Sequence, residues 1–156
     1  MATKRAALIA LAALMLTAHA ALATHTSSGL SSSLLARGTW DRADLSELAN
    51  ELGDFHRATG SDVAIVRATL AAGGTTDWHG HPGPSAVVVT AGTIRVLQAT
   101  PGGGCTASDY TANQSFFHSQ DAHTFLNPGA VTAEFYVVYF SPAGGLLIHE
   151  PDPGTC

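Results

Sequence analysis

Positive charge is scarce in this sequence. Only seven of its 156 residues are lysine or arginine, against twelve aspartates and glutamates, and the formal net charge is −5. A chain with that balance has little to attract nucleic acid or an anionic membrane, so neither is expected as a partner. The sequence also lacks a glycine-rich phosphate loop, a Ser-His-Asp arrangement with a nucleophile elbow, and internal repeats. These absences argue against nucleotide-binding loops, serine hydrolases and repeat architectures.

Long apolar runs are equally scarce, and the N-terminal one covers residues 6–16. This run follows two basic residues and precedes small-residue sites that end at Ala20 and Ala23. It is shorter than the roughly 20 residues that a membrane-spanning helix needs. The order of these features predicts a secretory signal peptide, residues 1–23, and therefore a secreted or periplasmic protein. Cleavage is expected after Ala20 or Ala23, and a retained membrane anchor is the alternative.

The chain that remains after cleavage is long enough for one domain. Removal of residues 1–23 leaves 156 − 23 = 133 residues and, without Lys4 and Arg5, a net charge of −5 − 2 = −7. Such a chain buries about two thirds of its unfolded surface. Residues 24–33, THTSSGLSSS, are small and polar with almost nothing to bury, which predicts a disordered leader. The folded domain is expected to span residues 34–156.

Cysteine occurs only twice, as Cys105 and Cys156. Two thiols in an oxidising compartment most simply form one disulfide. The bond would attach the C-terminal tail to the loop that precedes Cys105. Two free thiols, or a bridge between two chains, are the alternatives.

Most of the chain carries the pattern of a β protein. Valine, isoleucine, threonine and aromatic residues are concentrated in five stretches after residue 60, and turn signals rich in glycine, proline and asparagine separate them. Residues 34–40 add a short strand. Residues 41–60 are the one convincing helical segment, with leucines at helical spacing after an aspartate that can cap the helix. The pattern predicts an all-β domain, an antiparallel sandwich or barrel, with one short N-terminal helical segment.

Two histidines stand one residue apart in the stretch WHGHPG. On extended backbone, residues i and i+2 point to the same side, so His79 and His81 would aim their imidazoles at one point. The same alternation places Ser85, Val87 and Val89 on the histidine side. A pair of histidines looking into an apolar space has the geometry of a ligand pair, although the His-x-His spacing alone is a weak signal.

The residues around this pair extend the pattern. Gly73 stands six residues before His79, and Gly92 stands eleven residues after His81. This spacing resembles the first motif of the cupin family, Gly-x5-His-x-His-x(3,4)-Glu-x6-Gly. The glutamate of that motif, a metal ligand in many members, falls on Ser85, whose hydroxyl is too short and too weak a donor to replace it.

A second motif strengthens the resemblance. His123 and Asn127 are similar to the His-x3-Asn that closes the second cupin motif, whereas three other motif positions depart from it, at Ala112, His118 and Gln120. The HPGP sequence and the cysteine at the C-terminus resemble small exported single-domain bacterial cupins. The resemblance covers about residues 60–142 and implies a small jelly-roll β-barrel. It also implies a metal site formed by His79, His81 and His123.

Three imidazoles with an open coordination position suit a divalent transition metal. Zinc, iron, copper and nickel accept such a set, and manganese is a further candidate, whereas magnesium is held poorly. Because no carboxylate is among the ligands, the ion keeps its full positive charge and should favour an anionic ligand or lower the pKa of a bound water. Some cupins with three histidines are thiol dioxygenases, so the resemblance allows oxygen chemistry.

Three further polar residues could serve the same site. His118 could supply a fourth nitrogen, but a turn at the rim of the barrel is the favoured expectation. Asp77 and Asp121 each stand two residues before a proposed ligand, so their carboxylates could orient an imidazole, but solvated loop positions are the favoured expectation. His149, in the C-terminal tail, is not expected to be a ligand.

The wall of the site is predicted by alternation along the strands. Phe125 shares the face of His123, and residues 134–140 offer Tyr136 on one face and Tyr139 on the other. With Val87 these residues are expected to line an apolar pocket for a small organic molecule. The alternative is that the rings simply fill the core of the barrel.

Three functions stay open at this point. The first is an exported metal-binding cupin, with a metal-dependent oxygenase or another small-molecule enzyme as its active form. The second is a non-catalytic module that binds or senses a small molecule without metal. The third is a structural protein with a relic site. A homodimer is expected from the resemblance alone.

Overall fold

The computed structural model describes residues 27–40, 61–149 and 156. Eight strands lie in this part of the chain. Their bounds are β1 Ser28–Trp40, β2 Ser61–Thr75, β3 Ser85–Ala91, β4 Thr93–Ala99, β5 Cys105–Thr111, β6 Ser115–His118, β7 His123–Leu126 and β8 Ala133–Pro142.

All strand pairs are antiparallel and belong to one sheet in the order β5-β4-β7-β2-β8-β3-β6, with β1 paired to β2. The two end strands of this path, β5 and β6, follow each other in the chain. The N–H of Asn113, in the turn between them, donates to the carbonyl of Val89 in β3 at 2.9 Å. The sheet therefore curls into a nearly closed barrel, and the all-β prediction is confirmed.

Alternation along each strand fills the barrel interior. In β8, Phe135, Val137 and Tyr139 are buried, while the residues between them are partly exposed. This period of two is what a strand requires when one face meets the core and the other faces solvent. The interior is closed by fully buried aliphatic residues from three other strands, namely Leu70, Val87, Val89 and Ile94.

The first strand begins earlier than the sequence predicts. Residues 28–33, which were expected to form the end of a disordered leader, pair with β2 from Thr75 to Arg67. Their side chains are almost all exposed, so burial does not hold them. Main-chain hydrogen bonds to a long neighbouring strand hold them instead, and a composition rule that counts apolar residues does not register such bonds. The leader boundary at residue 33 is therefore wrong.

Two other predicted segments lie outside the described residues, namely the signal peptide, residues 1–23, and the helical segment, residues 41–60. Both stay predictions. Within residues 27–40, 61–149 and 156, no helix has the length and hydropathy needed to cross a membrane.

Cys105, at the start of β5, is bonded to Cys156, with their Cα atoms 5.3 Å apart. The predicted intrachain disulfide is confirmed, and neither cysteine is free. Such a bond is consistent with an oxidising, extracytoplasmic location.

A buried carboxylate ties β1 to β2 at the end of the barrel. Asp62 is 2% exposed and accepts hydrogen bonds from Thr39 Oγ1 at 2.6 Å, Arg37 Nε at 2.6 Å and the Gly144 N–H at 2.9 Å. These bonds, the Thr39 hydroxyl first, hold the pKa of the Asp62 carboxyl below its usual value. A carboxyl whose pKa is lowered by folding stabilises the fold above its unfolded pKa, and the contribution is lost as pH falls through the folded pKa.

Asp62→Asn is therefore expected to lower the free energy of unfolding at pH 7 by about 1–3 kcal/mol, since the charge is lost and an amide nitrogen, which cannot accept, replaces one of the two oxygens that accept these hydrogen bonds. The difference from the native chain should shrink in acid, where the native carboxyl is also protonated. Urea unfolding of both proteins at pH 7 and in acid measures it. Equal stability of the two proteins at pH 7 would contradict the role of this carboxylate.

Candidate metal centre

His79 and His123 lie opposite each other in an antiparallel bridge. The His79 N–H donates to the carbonyl of His123 at 2.9 Å, and the His123 N–H donates to the carbonyl of His79 at 2.9 Å. Cross-strand partners send their side chains to the same face of a sheet, and His81 follows two residues later. One ring nitrogen from each of the three histidines lies within 4.8 Å of the others, and all three residues are buried. The predicted convergence of these side chains is confirmed.

The three rings share one hydrogen-bonding arrangement, in which Nδ1 faces a main-chain carbonyl. Because a carbonyl oxygen only accepts, each Nδ1 must carry the hydrogen, which leaves the lone pair of each ring on Nε2. The pairs are His79 with Asp77 O at 2.8 Å, His81 with Leu147 O at 2.7 Å, and His123 with Asp121 O at 2.8 Å. Metal-binding histidines are oriented in this way by their other ring nitrogen.

The buried Nε2 of His123 has no hydrogen-bond partner in the part of the chain that the structure describes. A buried polar atom without a partner costs free energy, so it requires an explanation, and binding of a cation is one. Three neutral imidazoles with converging lone pairs fit a divalent transition metal, whose preferred ligands include such nitrogens. This cluster can therefore hold a metal ion.

Asp77 and Asp121 do orient two of the proposed ligands, but not through the carboxylates that the sequence suggested. Asp77 and Asp121 orient His79 and His123 through their main-chain carbonyls. The Asp77 carboxylate accepts the Trp78 N–H at 2.8 Å, and the Asp121 carboxylate accepts a hydrogen bond from Ser119. A residue two positions before a histidine in extended backbone can reach its ring with the carbonyl, and the sequence does not distinguish that contact from one by the side chain.

His118 belongs to the same cluster. It is the last residue of β6 and only 5% exposed, so the favoured expectation of a turn at the rim is wrong. Its ring centre lies 4.0 Å from that of His123 and 5.0 Å from that of His81. His118 pairs across the strands with Ser85, whose Oγ lies 2.8 Å from His118 Nε2. Ser85, at the position of the motif glutamate, therefore supports a fourth imidazole.

Burial keeps the four imidazoles neutral. Removal from water lowers the pKa of His81 to about 3, with the neighbouring His79 adding to the effect. The same cause, followed by neighbouring histidines, lowers the pKa of His123 to about 4 and that of His118 to about 2. Burial also lowers the pKa of His79. Neutral imidazoles can bind a cation without first losing a proton.

The C-terminal tail segment, residues 146–149, reaches the site through its main chain. Leu147 supplies the carbonyl that faces His81, and His149 exchanges two main-chain hydrogen bonds with Gly80, at 2.9 and 3.0 Å. Sequence reasoning missed this contact because it is made by backbone atoms. The predicted disulfide at Cys156 was the one sign that the tail returns to the barrel.

A cavity of about 430 Å³ opens beside His79. Phe125 and Tyr139 line it, as predicted. Val87 is fully buried in the core and does not border the cavity, and Tyr136 faces the outside of the barrel, where it interacts with Arg67. Both of these lining predictions are wrong, the second because residues 135, 137 and 139 form the inward face of β8. Burial raises the pKa of the Tyr139 hydroxyl.

The remaining motif residues have structural roles. Asn127 is 1% exposed, donates to the carbonyls of Leu70 and Val131 at 2.8 Å each, and accepts the Gly129 N–H at 2.9 Å. Gly92 has a φ of 71°, which other residues rarely adopt, and a Cβ there would lie 2.8 Å from the Cα of Ala133. Asn127 and Gly92 therefore stabilise the local backbone, and neither belongs to the histidine cluster.

No family model matches the sequence, and no curated protein matches it either. Solved structures do match. An oxalate oxidase in complex with glycolate has 23% identity and a TM-score of 0.54 over 78% of this chain and 55% of its own. The oxalate decarboxylase of Bacillus subtilis has 15% identity and a TM-score of 0.51 over 75% of this chain and 27% of its own. A further structure of that decarboxylase, in a study of its Mn(II) centres, has 14% identity and a TM-score of 0.51, over 73% of this chain and 27% of its own.

This chain thus has the cupin fold, as the two histidine motifs indicated. It spans about half the length of the oxalate oxidases that it matches. Identities this low establish the fold and leave the activity to be argued from the site.

Proposed function

We propose that this protein binds one divalent transition metal ion through His79, His81 and His123, and presents it to a small molecule in the neighbouring cavity. The observation that carries the proposal is the Nε2 of His123, a residue only 1% exposed, which has no hydrogen-bond partner among the described residues. Two more Nε2 atoms, those of His79 and His81, keep their lone pairs through the same hydrogen-bond arrangement. A site that binds no metal would not require three imidazoles that are all held with Nδ1 protonated and Nε2 free to bind a cation.

The donor set narrows the choice of ion. Three imidazoles favour zinc, iron, copper or nickel, and manganese is the metal of the matched decarboxylase. When bound, the ion would supply a Lewis-acidic centre with open coordination positions. The residues of the chain would hold it in place, orient the incoming molecule and exclude water through the apolar wall.

Within this site we assign His118 as the accessory nitrogen that occupies the space of the missing carboxylate. Its ring centre lies 4.0 Å from that of His123, and Ser85 holds it by a hydrogen bond. A serine is short enough to leave room for an imidazole from the neighbouring strand. A neutral ring in place of a carboxylate leaves the full charge of the ion available to an anionic ligand.

The active form of such a site is a metal-dependent oxidoreductase of the dioxygenase type or another small-molecule enzyme. A second candidate, a non-catalytic binding or sensing module, is supported by the cavity itself, which remains a binding site whether or not turnover follows. Oxygen consumption by the iron-loaded protein with candidate substrates separates the two. We further propose that the protein is exported through the predicted signal peptide and forms a homodimer. Its partners are small molecules, and neither nucleic acid nor membrane.

Elemental analysis tests the metal proposal. The mature protein is purified from its native compartment without chelator, beside His81→Ala and a His79→Ala, His123→Ala double variant. We expect about one transition metal per native chain and little metal in either variant. Residues that only orient a ligand already contribute 10- to 100-fold to metal affinity, so loss of a ligand should lower the affinity at least about 100-fold. Zinc would indicate hydrolytic or lyase chemistry, and iron or copper would indicate oxygen chemistry.

His149→Ala is the matched control, because the substitution keeps the main-chain hydrogen bonds with Gly80 and removes only a ring that lies beside Gly80 and is not one of the three proposed ligands. It should retain the metal. A native protein without metal, or a His81→Ala variant that keeps its full metal content, would remove the proposal and leave the binding module as the better function.

A further inference from the structure

The wall of the cavity is apolar and rich in rings. Trp78, Phe125, Phe135 and Tyr139 line it, with aliphatic side chains from β1, β2, β8 and the tail segment. His79 is the one of the three proposed ligands that belongs to this wall, so the cavity borders the proposed metal site at His79. A cavity of about 430 Å³ falls within the usual range for sites that enclose a small organic molecule.

No positively charged side chain of the described residues lines this cavity. The three arginines in the described part of the chain are each paired with a carboxylate elsewhere, as Arg37 with Asp62, Arg67 with Glu134 and Arg95 with Asp109. Asp77 is the one acidic residue in the wall. The positive charge that a ligand meets here is therefore that of the metal.

This distribution of charge selects among anions. One anionic oxygen can be placed against the ion, where its charge is met. A second carboxylate on a small dianion would face the aromatic wall or the Asp77 carboxylate, and an unpaired buried charge is costly. The space beyond the first oxygen is therefore suited to an apolar ring.

Besides the hydroxyls of Ser27, Ser32 and Thr76, the cavity wall has the hydroxyl of Tyr139, which could recognise a ligand. Tyr139 is 7% exposed, its ring centre lies 4.8 Å from that of His81, and its hydroxyl makes no hydrogen bond within the part of the chain that the structure describes. A hydroxyl that lines a cavity without a protein partner is placed to hydrogen-bond the bound molecule.

We propose that this site, given the metal of the proposed function, selects small molecules that carry one anionic oxygen group on an aromatic body, with Tyr139 as a specificity residue, and discriminates against dicarboxylates. The structural likeness to oxalate enzymes therefore does not extend to their substrate. Benzoate represents the favoured class, and oxalate represents the disfavoured one.

Titration of the cobalt-loaded full chain tests this selectivity. The metal content is measured first and again after each titration, because oxalate can remove metal. Binding is followed by cobalt absorption and by tryptophan fluorescence in a Trp40→Phe background, which leaves Trp78 as the sole tryptophan. We expect benzoate to bind at least about tenfold more tightly than oxalate, since an unpaired buried charge costs more than 1.4 kcal/mol.

Two tyrosines of β8 give a matched pair of variants. Tyr139→Phe should weaken benzoate binding about 2- to 10-fold, because one hydrogen bond is lost. Tyr136→Phe, on the outer face of the same strand, should leave it unchanged. Failure to load metal would overturn the proposed function and this inference with it. A loaded protein that prefers oxalate, or that is indifferent to Tyr139→Phe, would overturn this inference alone.

Discussion

The metal-free His123→Leu variant is expected to be at least as stable as the metal-free native protein. His123 is 1% exposed and its Nε2 has no partner among the described residues, so the native chain buries an unsatisfied polar atom. Removing that atom and filling the space with an apolar side chain recovers a cost of about 1–3 kcal/mol. The lost partner of Nδ1, the carbonyl of Asp121, belongs to an exposed residue and can turn to water.

Metal should reverse this order. An ion that binds only the folded state at 1,000 times its dissociation constant stabilises the native protein by about 4 kcal/mol. The His123→Leu variant lacks one metal ligand, so the ion should raise its free energy of unfolding only slightly. Urea unfolding of both proteins at pH 8, with chelator and then with zinc, measures the crossing of their stabilities. pH 8 keeps the unfolded histidines neutral, so proton uptake does not enter the comparison.

His118→Leu is the control for this experiment. His118 is also buried in the cluster, but Ser85 hydrogen-bonds to it, so its removal should destabilise the metal-free protein. If His123→Leu destabilised the metal-free protein as much as His118→Leu does, burial of the His123 Nε2 would cost no free energy in the metal-free protein.

The histidine cluster shows which residues of the site can be predicted from the sequence alone. Alternation along extended backbone places His79 and His81 on one face, and motif spacing adds His123, because both arguments depend only on residue order. The position of His118 depends on which strand pairs with Ser85, and a cross-strand register is a tertiary property. The pattern therefore identified three of the four buried rings and misassigned the fourth to a turn.

The first strand illustrates the same limit in the fold. Strands β2, β3, β4 and β8 are recognisable in the sequence from β-branched and aromatic residues, many of them buried, whereas β5 is exposed along almost its whole length. Residues 28–33 have exposed side chains and are ordered by hydrogen bonds to β2. Composition predicts what a segment can bury, whereas pairing depends on whether a neighbouring strand offers a free edge. The strand was therefore predicted only from residue 34.

Replacement of both cysteines, Cys105→Ser with Cys156→Ser, is expected to lower the free energy of unfolding by about 4 kcal/mol. The bond closes a loop with a sequence separation of 51, and releasing a loop of that length increases the entropy of the unfolded chain. Through Cys156, this bond attaches the end of the chain, which follows the tail segment, to the start of β5. Chemical unfolding of the oxidised native protein and the double variant, both without metal, measures the loss.

The same variant should also bind metal about 10- to 100-fold more weakly, because the Leu147 carbonyl orients His81 at 2.7 Å and loses its anchor downstream. Leu70→Ala separates this effect from general destabilisation, since it removes a fully buried side chain of β2 at a cost of about 2–5 kcal/mol. Metal affinity at a temperature where all three proteins are folded should fall in the cysteine variant and stay near native in Leu70→Ala. Equal affinities in the cysteine variant and the native chain would mean that the two main-chain hydrogen bonds between His149 and Gly80 hold the tail segment without the disulfide.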